Sequence, residues 1–417
     1  MTAKDIEIMS PVGSYESLMA AIQAGAGSVY FGVGKLNMRS KSSKNFDLED
    51  LKRITEICKE YNVQSYLALN TIVYDEEMEE MRLLVDTAQA NGVSAIIATD
   101  MSVILYARQI GMEIHMSTQT NVTNVEDVKF YSQFADVMVT ARELRLDQVA
   151  FITEQIQKEQ IKGPSGKLVR IEIFVHGALC MAISGKCYMS LHTMNSSANR
   201  GACLQPCRRS YEVTEKEGNF AMEVDNEYIM SPKDLNTLYL LDKILNAGVT
   251  ILKVEGRGRS ADYVKTVTSV YKEAVEAYFN DEFSLENVEK WNAKLQTVYN
   301  RGFWEGYYMG RKMGEWTKRY GSQATQKKIF VGKIVNFYTK LNVAEIKMET
   351  HDFSLGDHIR VIGETTGVYD DENIAEIRVN LKPVQKTVKG ELCSIKTKEL
   401  LRRGDKVYKV IEVIEEF

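Results

Sequence analysis

Short apolar runs alternate with amphipathic stretches through residue 280. The strand-like runs are Glu7–Pro11, Ser28–Gly32, Val63–Asn70, Ala95–Thr99, Glu113–Gln119, Asp136–Ala141, Arg170–Gly177 and Thr250–Gly256. Between them, segments such as LEDLKRITEICKEY and DEEMEEMRLLVDTAQA place apolar residues at i, i+3 and i+4, the spacing of one helix face. Strands alternating with helices predict parallel βαβ units. Eight such units predict an α/β fold of the (β/α)8 TIM-like barrel type. QAGAGSVYFG, ANGVSAIIATD and NAGVTILKVEG echo one another, each a helix end, a Gly stop and a buried strand.

The alternation breaks after the seventh strand, where a cysteine-rich insertion over 178–231 is expected, its later part (211–231) β-like. Residues 1–316 then form the barrel unit with that insertion, and TKRYGSQATQKK (317–328) reads as a linker. From 329 to 417 the runs become short, with turn signals between them, which predicts a small C-terminal antiparallel β-barrel.

Charge adds a face to this picture. The net charge is −5, which excludes a generally basic nucleic-acid binder. Yet residues 32–46 carry Lys35, Arg39, Lys41 and Lys44 with no acid, and residues 176–209 carry Lys186, Arg200, Arg208 and Arg209 with none. GRGRS (256–260) follows the last strand. In a barrel, the loops after the strands share one face, the face that holds active sites. These three loops therefore predict a basic catalytic face suited to a large anionic substrate such as RNA. Residues 381–409 add Lys and Arg, set against Glu391, Glu399 and Asp405. The N-terminus MTAKDIEIMSPVG has no apolar leader, and no run nears the ~18 apolar residues of a membrane span, so a reducing cytoplasm is expected.

That compartment bears on the cysteines. Cys180, Cys187, Cys203 and Cys207 are spaced C-x6-C-x15-C-x3-C, and the chain holds only Cys58 and Cys393 besides. In a reducing environment, concentrated thiols point to a metal centre rather than disulfides. Four thiolates suit a 4Fe–4S cluster or an all-thiolate zinc site. Strand ends supply the other candidates. Arg142 and Glu143 close one strand together, His176 ends the strand before the cysteines, and Glu255 ends the last. With Glu172 these form the candidate catalytic set. Lys35, Arg39, Arg257, Arg259 and Ser260 form a candidate anion or substrate site, the last three at a helix start where backbone N–H groups favour anions. No H-E-x-x-H or G-x-S-x-G motif is present.

EIFVHGALCMAISGKCYMS (172–190), followed by NRGACLQPCR, resembles the signature of the U-32 (collagenase-like) peptidase family, and the likeness runs nearly the whole chain. The resemblance implies either the proteolysis in the family's name or the hydroxylation of RNA attributed to several members. The length and C-terminal domain are most similar to the type that hydroxylates tRNA wobble uridine. The same resemblance implies a 4Fe–4S cluster on Cys180, Cys187, Cys203 and Cys207, tRNA as partner, and prephenate as a small carboxylate co-substrate. A collagenase-like peptidase and a non-catalytic RNA-binding or Fe–S scaffold protein are the alternative expectations.

Overall fold

A computed structural model describes residues 1–41, 45–212, 227–311 and 313–413. Lys44 and most of the β-like segment expected over 211–231 lie outside the described residues. The barrel strands are Glu7–Pro11 (β1), Ser28–Phe31 (β2), Gln64–Leu69 (β3), Ala95–Ala98 (β4), Glu113–Met116 (β5), Val137–Val139 (β6), Arg170–Gly177 (β7) and, past the short Asp234–Asn236 (β8), Ile251–Val254 (β9). Each pairs in parallel with the next, and β9 pairs with both β7 and β1, so the sheet closes. β8 lies outside this ring, antiparallel to the end of β7, with His176 opposite Asn236.

The strands are buried on both faces, which is why they read as continuous apolar runs. Outward residues such as Ile8, Val29, Leu67, Ile96 and Ile114 pack on the helices. Inward residues Met9, Tyr30, Tyr66, Ile97, Val137 and Ile251 fill the barrel interior.

The C-terminal residues form an antiparallel sheet of eight strands among those described, around a core that includes Val331, Ile346, Phe353, Val361 and Ile395. Its first strand, Gln326–Tyr338, takes in the end of the expected linker: Gln326 and Lys327 already pair with Glu412 and Ile411. Within that strand the Lys328 ammonium reaches back to Asp262 on the barrel helix Ala261–Phe279. One sheet edge, Gly367–Asp371, docks on the barrel. The Gln23 side chain donates to Thr366 O at 2.8 Å and accepts from Val368 N at 3.0 Å. An edge strand covered in this way cannot template pairing with another chain. Among the described residues no helix is long and apolar enough to cross a membrane.

Candidate active site

The three basic loops do meet at the mouth of the barrel. Asn37, fully buried after β2, accepts from Arg39 N and from Arg257 Nη1, each at 3.1 Å, and so ties the second strand's loop to the last strand's. The inserted segment lies over both. Ser40 Oγ donates to Gly201 O at 3.1 Å, and Ile72 N donates to Asn199 O at 3.2 Å. Gly201 sits at φ +73°, where a Cβ would stand 2.1 Å from Asn37 O, so only glycine allows this approach. Arg208 clamps the far end through Leu179 O at 2.5 Å and Pro232 O at 2.7 Å.

Two adjoining cavities result. The axial cavity, about 90 Å³, lies inside the barrel mouth and is lined by Tyr30, Arg39, Arg142, Lys253, Glu255 and Arg257, among others. The second, about 280 Å³, is lined by Cys180, Cys187, Cys203 and Cys207 together with Arg259 and Arg301. Arg39, Glu255 and three of the cysteines border both. A further chamber of about 320 Å³ adjoins the axial cavity past Met38, Asn70, Gln119 and Gly185.

The cysteines were legible as a group, and the fold gathers them. Burial raises the Cys203 and Cys207 thiols, and the neighbouring cysteines raise them further. Four simultaneous thiolates here would repel one another, so they need a cationic centre between them. Among the described residues no three metal-binding side chains converge on one point. The four cysteines instead line one cavity, a set of four thiols that suits either a 4Fe–4S cluster or an all-thiolate zinc site. Cys58 and Cys393 stand apart in the cores, where burial pushes each thiol up to about 12.

Charge in the axial cavity is unbalanced. Arg39 Nη2 donates to Glu255 Oε1 at 2.7 Å. Burial would raise the Glu255 carboxyl, but Arg39, with Arg142 and Arg257, outweighs it and holds the group at about 2. Arg142 lies over the Phe174 ring at 3.9 Å and donates to Ala178 O at 3.3 Å, while its buried Nε has no partner. Burial pulls the Arg257 guanidinium down to about 10. Among the described residues neither Arg142 nor Arg257 makes an ion pair, so the cavity retains positive charge for an anion.

Other expected site residues fall elsewhere. His176 is 1% exposed and lines neither cavity. β7 shifts register against β9 between Phe174 and His176. Strict alternation would keep His176 on the inner face with Glu172 and Phe174, and the irregularity turns it outward. Its ring packs against Tyr263, Tyr271 and Phe303, and burial, with Arg259 adding, pulls its pKa down to about 3. Glu143 and Lys35 are exposed and line neither cavity, and exposed Ser260 stands at the N-cap position of the helix Ala261–Phe279 without a side-chain capping hydrogen bond. Glu172 is fully buried beneath the axial cavity. Arg257 and Arg259 separate, the first facing the axial cavity and the second the cysteines. Arg200 is committed to Glu77 and stacks on Tyr74.

Sequence reasoning missed Lys253, Asn37 and Arg301. Lys253 had a signal: in TILKVEG a lysine interrupts an apolar strand, two residues from Glu255 and therefore on the same face.

Known proteins share this chain's pattern along most of its length. Residues 13–318 match Peptidase family U32. This chain belongs to that family. A Collagenase of Porphyromonas gingivalis is 53% identical over 98% of this chain and 99% of its own length. The tRNA hydroxylation protein P1 of Bacillus subtilis is 29% identical over 86% of this chain and 84% of its own. A 23S rRNA 5-hydroxycytidine synthase of Escherichia coli is 31% identical over 74% of this chain and 46% of its own. Members of the U32 family thus carry names from two chemistries, hydrolysis and RNA hydroxylation.

Proposed function

We propose that this chain is an RNA-modifying enzyme of the hydroxylating branch of the U32 family, acting on the wobble uridine of tRNA. The observation that carries the reading is the shared wall between a four-thiol cavity and a cation-rich axial cavity. Cys180, Cys187, Cys203 and Cys207 would hold a 4Fe–4S cluster. When bound, such a cluster supplies one-electron chemistry at the edge of the axial cavity.

The protein's own residues do the rest. Arg142 and Arg257 bind and orient a small carboxylate co-substrate such as prephenate. Glu255 holds Arg39 in place between the two cavities. The outer chamber, with the amides of Asn70 and Gln119 and the hydroxyls of Thr99 and Thr120, suits a base taken out of its stack. Lys186 at its rim attracts phosphate.

Peptidase activity is the second reading, favoured by the 53% identical Collagenase. No histidine lines any of the three cavities among the described residues, so a Cys–His nucleophile pair has no support there.

The test is anaerobic purification with iron and sulfide analysis, then nucleoside mass spectrometry of tRNA from a deletion strain complemented with wild type or Cys203→Ala. About four irons and four sulfides per chain, with hydroxylated uridine restored by wild type only, is the expected result. A metal-free protein that cleaves gelatin and leaves tRNA unchanged would return the peptidase reading to first place.

A further inference from the structure

The interior of the barrel holds a line of charged and polar groups that ends at the axial cavity. Lys253 on β9 borders that cavity, and its Nζ lies 2.6 Å from Glu172 Oε1. Glu172 is fully buried, and its Oε2 has no hydrogen-bond partner. That oxygen faces Nδ1 of His115 at 4.0 Å, and this nitrogen is equally buried and partnerless. On the other side of the ring, His115 Nε2 lies 3.3 Å from Glu113 Oε1. Glu113 is the first residue of β5, and its side chain is 41% exposed at the end of the barrel opposite the mouth.

Around this line the interior is mainly apolar, with Met9, Tyr66, Ile97, Val137 and Ile251. A packing role would be met better by more of the same. A buried ion pair seldom out-stabilises apolar residues of equal volume, and each unsatisfied buried polar atom is destabilising. Two such atoms face each other here, on groups able to share a proton.

We propose that Lys253 is the proton donor and acceptor at the floor of the axial cavity, and that Glu172, His115 and Glu113 connect it to solvent at the opposite end. Lys253 is the catalytic residue, and the other three act through it. The proposal rests on the axial cavity being the reaction site. In the forward step the Lys253 ammonium gives one proton to a basic atom of the bound ligand. Glu172, a carboxylate while it pairs with the ammonium, then receives a proton at Oε2 from His115 Nδ1, turns its carboxyl group, and delivers that proton to the Lys253 amine, which leaves it a carboxylate again. His115 takes a replacement at Nε2 from Glu113, and Glu113 from water. One proton enters, one leaves to the ligand, and only N–H and O–H bonds change. When Lys253 takes a proton back, the line runs in reverse and His115 recovers its first tautomer.

The test uses the full chain labelled with ¹⁵N-histidine, the His115 ring being assigned by its loss in His115→Asn. Lys253→Met lies two groups from that ring. The expected result is a change in proton occupancy at His115, read from both ring-nitrogen resonances. Resonances that do not move would mean an isolated Lys253–Glu172 pair and overturn the proposal. Glu113→Gln provides a second arm at an exposed site that threatens folding least. Its turnover in RNA modification should fall at least about tenfold, with unchanged half-saturating RNA, a larger solvent deuterium isotope effect, and recovery in Glu113→Asp. Wild-type turnover and isotope effect in Glu113→Gln would also overturn it. If the wild-type chain modifies no RNA, the function proposed above fails, and the ring resonances alone decide the proton line.

Discussion

Arg39 and Glu255, 216 residues apart in the chain, meet at 2.7 Å on the wall between the two cavities. Their side chains are only 22% and 13% exposed. Removing the carboxylate leaves three arginines with little to offset them. Glu255→Gln is therefore expected to destabilise the fold by on the order of 2–4 kcal/mol and to loosen the loop that carries Arg39. Urea denaturation measures the first effect. A variant as stable as wild type would show that the pair is solvated and contributes little.

The cysteines divide into two chemical classes. In the metal-free chain, an aromatic disulfide reagent should react in the folded state with Cys180 and Cys187, and more slowly with Cys203 and Cys207, whose thiols burial raises. Cys58 and Cys393, buried and pushed up to about 12, should react only on unfolding. Iron content should fall in alanine variants of the first four and persist in Cys58→Ala. Fast labelling of Cys58 in native protein would contradict the packing described.

His176 sets a pH dependence whose sign is fixed by its surroundings. Its pKa in the fold is about 3, against about 6.5 in an unfolded chain. Between those values the unfolded state binds a proton that the native state does not. Stability from this group is whole above about pH 6.5 and declines as pH falls towards 3, by up to about 1.4 kcal/mol per pH unit. His176→Phe, placed among Tyr263, Tyr271 and Phe303, should flatten that slope and retain activity. Loss of activity with unchanged stability would restore His176 to the catalytic set.

Gly201→Ala tests the proposed cluster separately from folding. Gly201→Ala places a methyl group against Asn37 O at a positive φ, so the inserted segment must lift off the loop below it. The barrel core does not depend on that contact. Incorporated iron should drop severalfold while the thermal transition of the barrel moves little. Full iron content in this variant would sink the argument.

Gln23 joins the two parts of the chain through two hydrogen bonds to the edge of the C-terminal sheet. Gln23→Ala should cost about 1–2 kcal/mol and raise amide exchange at Val368 specifically. Unchanged protection at Val368 would mean that the remaining contacts, the Lys265 ammonium on Val368 O and the apolar contact of Ala20 and Ala261 with Val368, hold the edge.

The barrel was legible in the chain alone, because strands buried on both faces and amphipathic helices leave a strong local pattern. Its strands, β1 to β7 and β9, all fall within the runs read from that pattern. The cysteine group, close in the chain, and the family were legible in the same way. Partnership among residues far apart came only with the tertiary structure. Period two puts Lys253 and Glu172 on inner strand faces, but only closure of β9 on β7 brings them within 2.6 Å. Nearness in sequence drew His176 towards the cysteines, and an irregular step in β7, invisible in composition, turned it away. The arginines divide for the same reason: alternating residues in GRGRS point to different cavities, and which cavity each one meets is set by the loops that fold over the mouth.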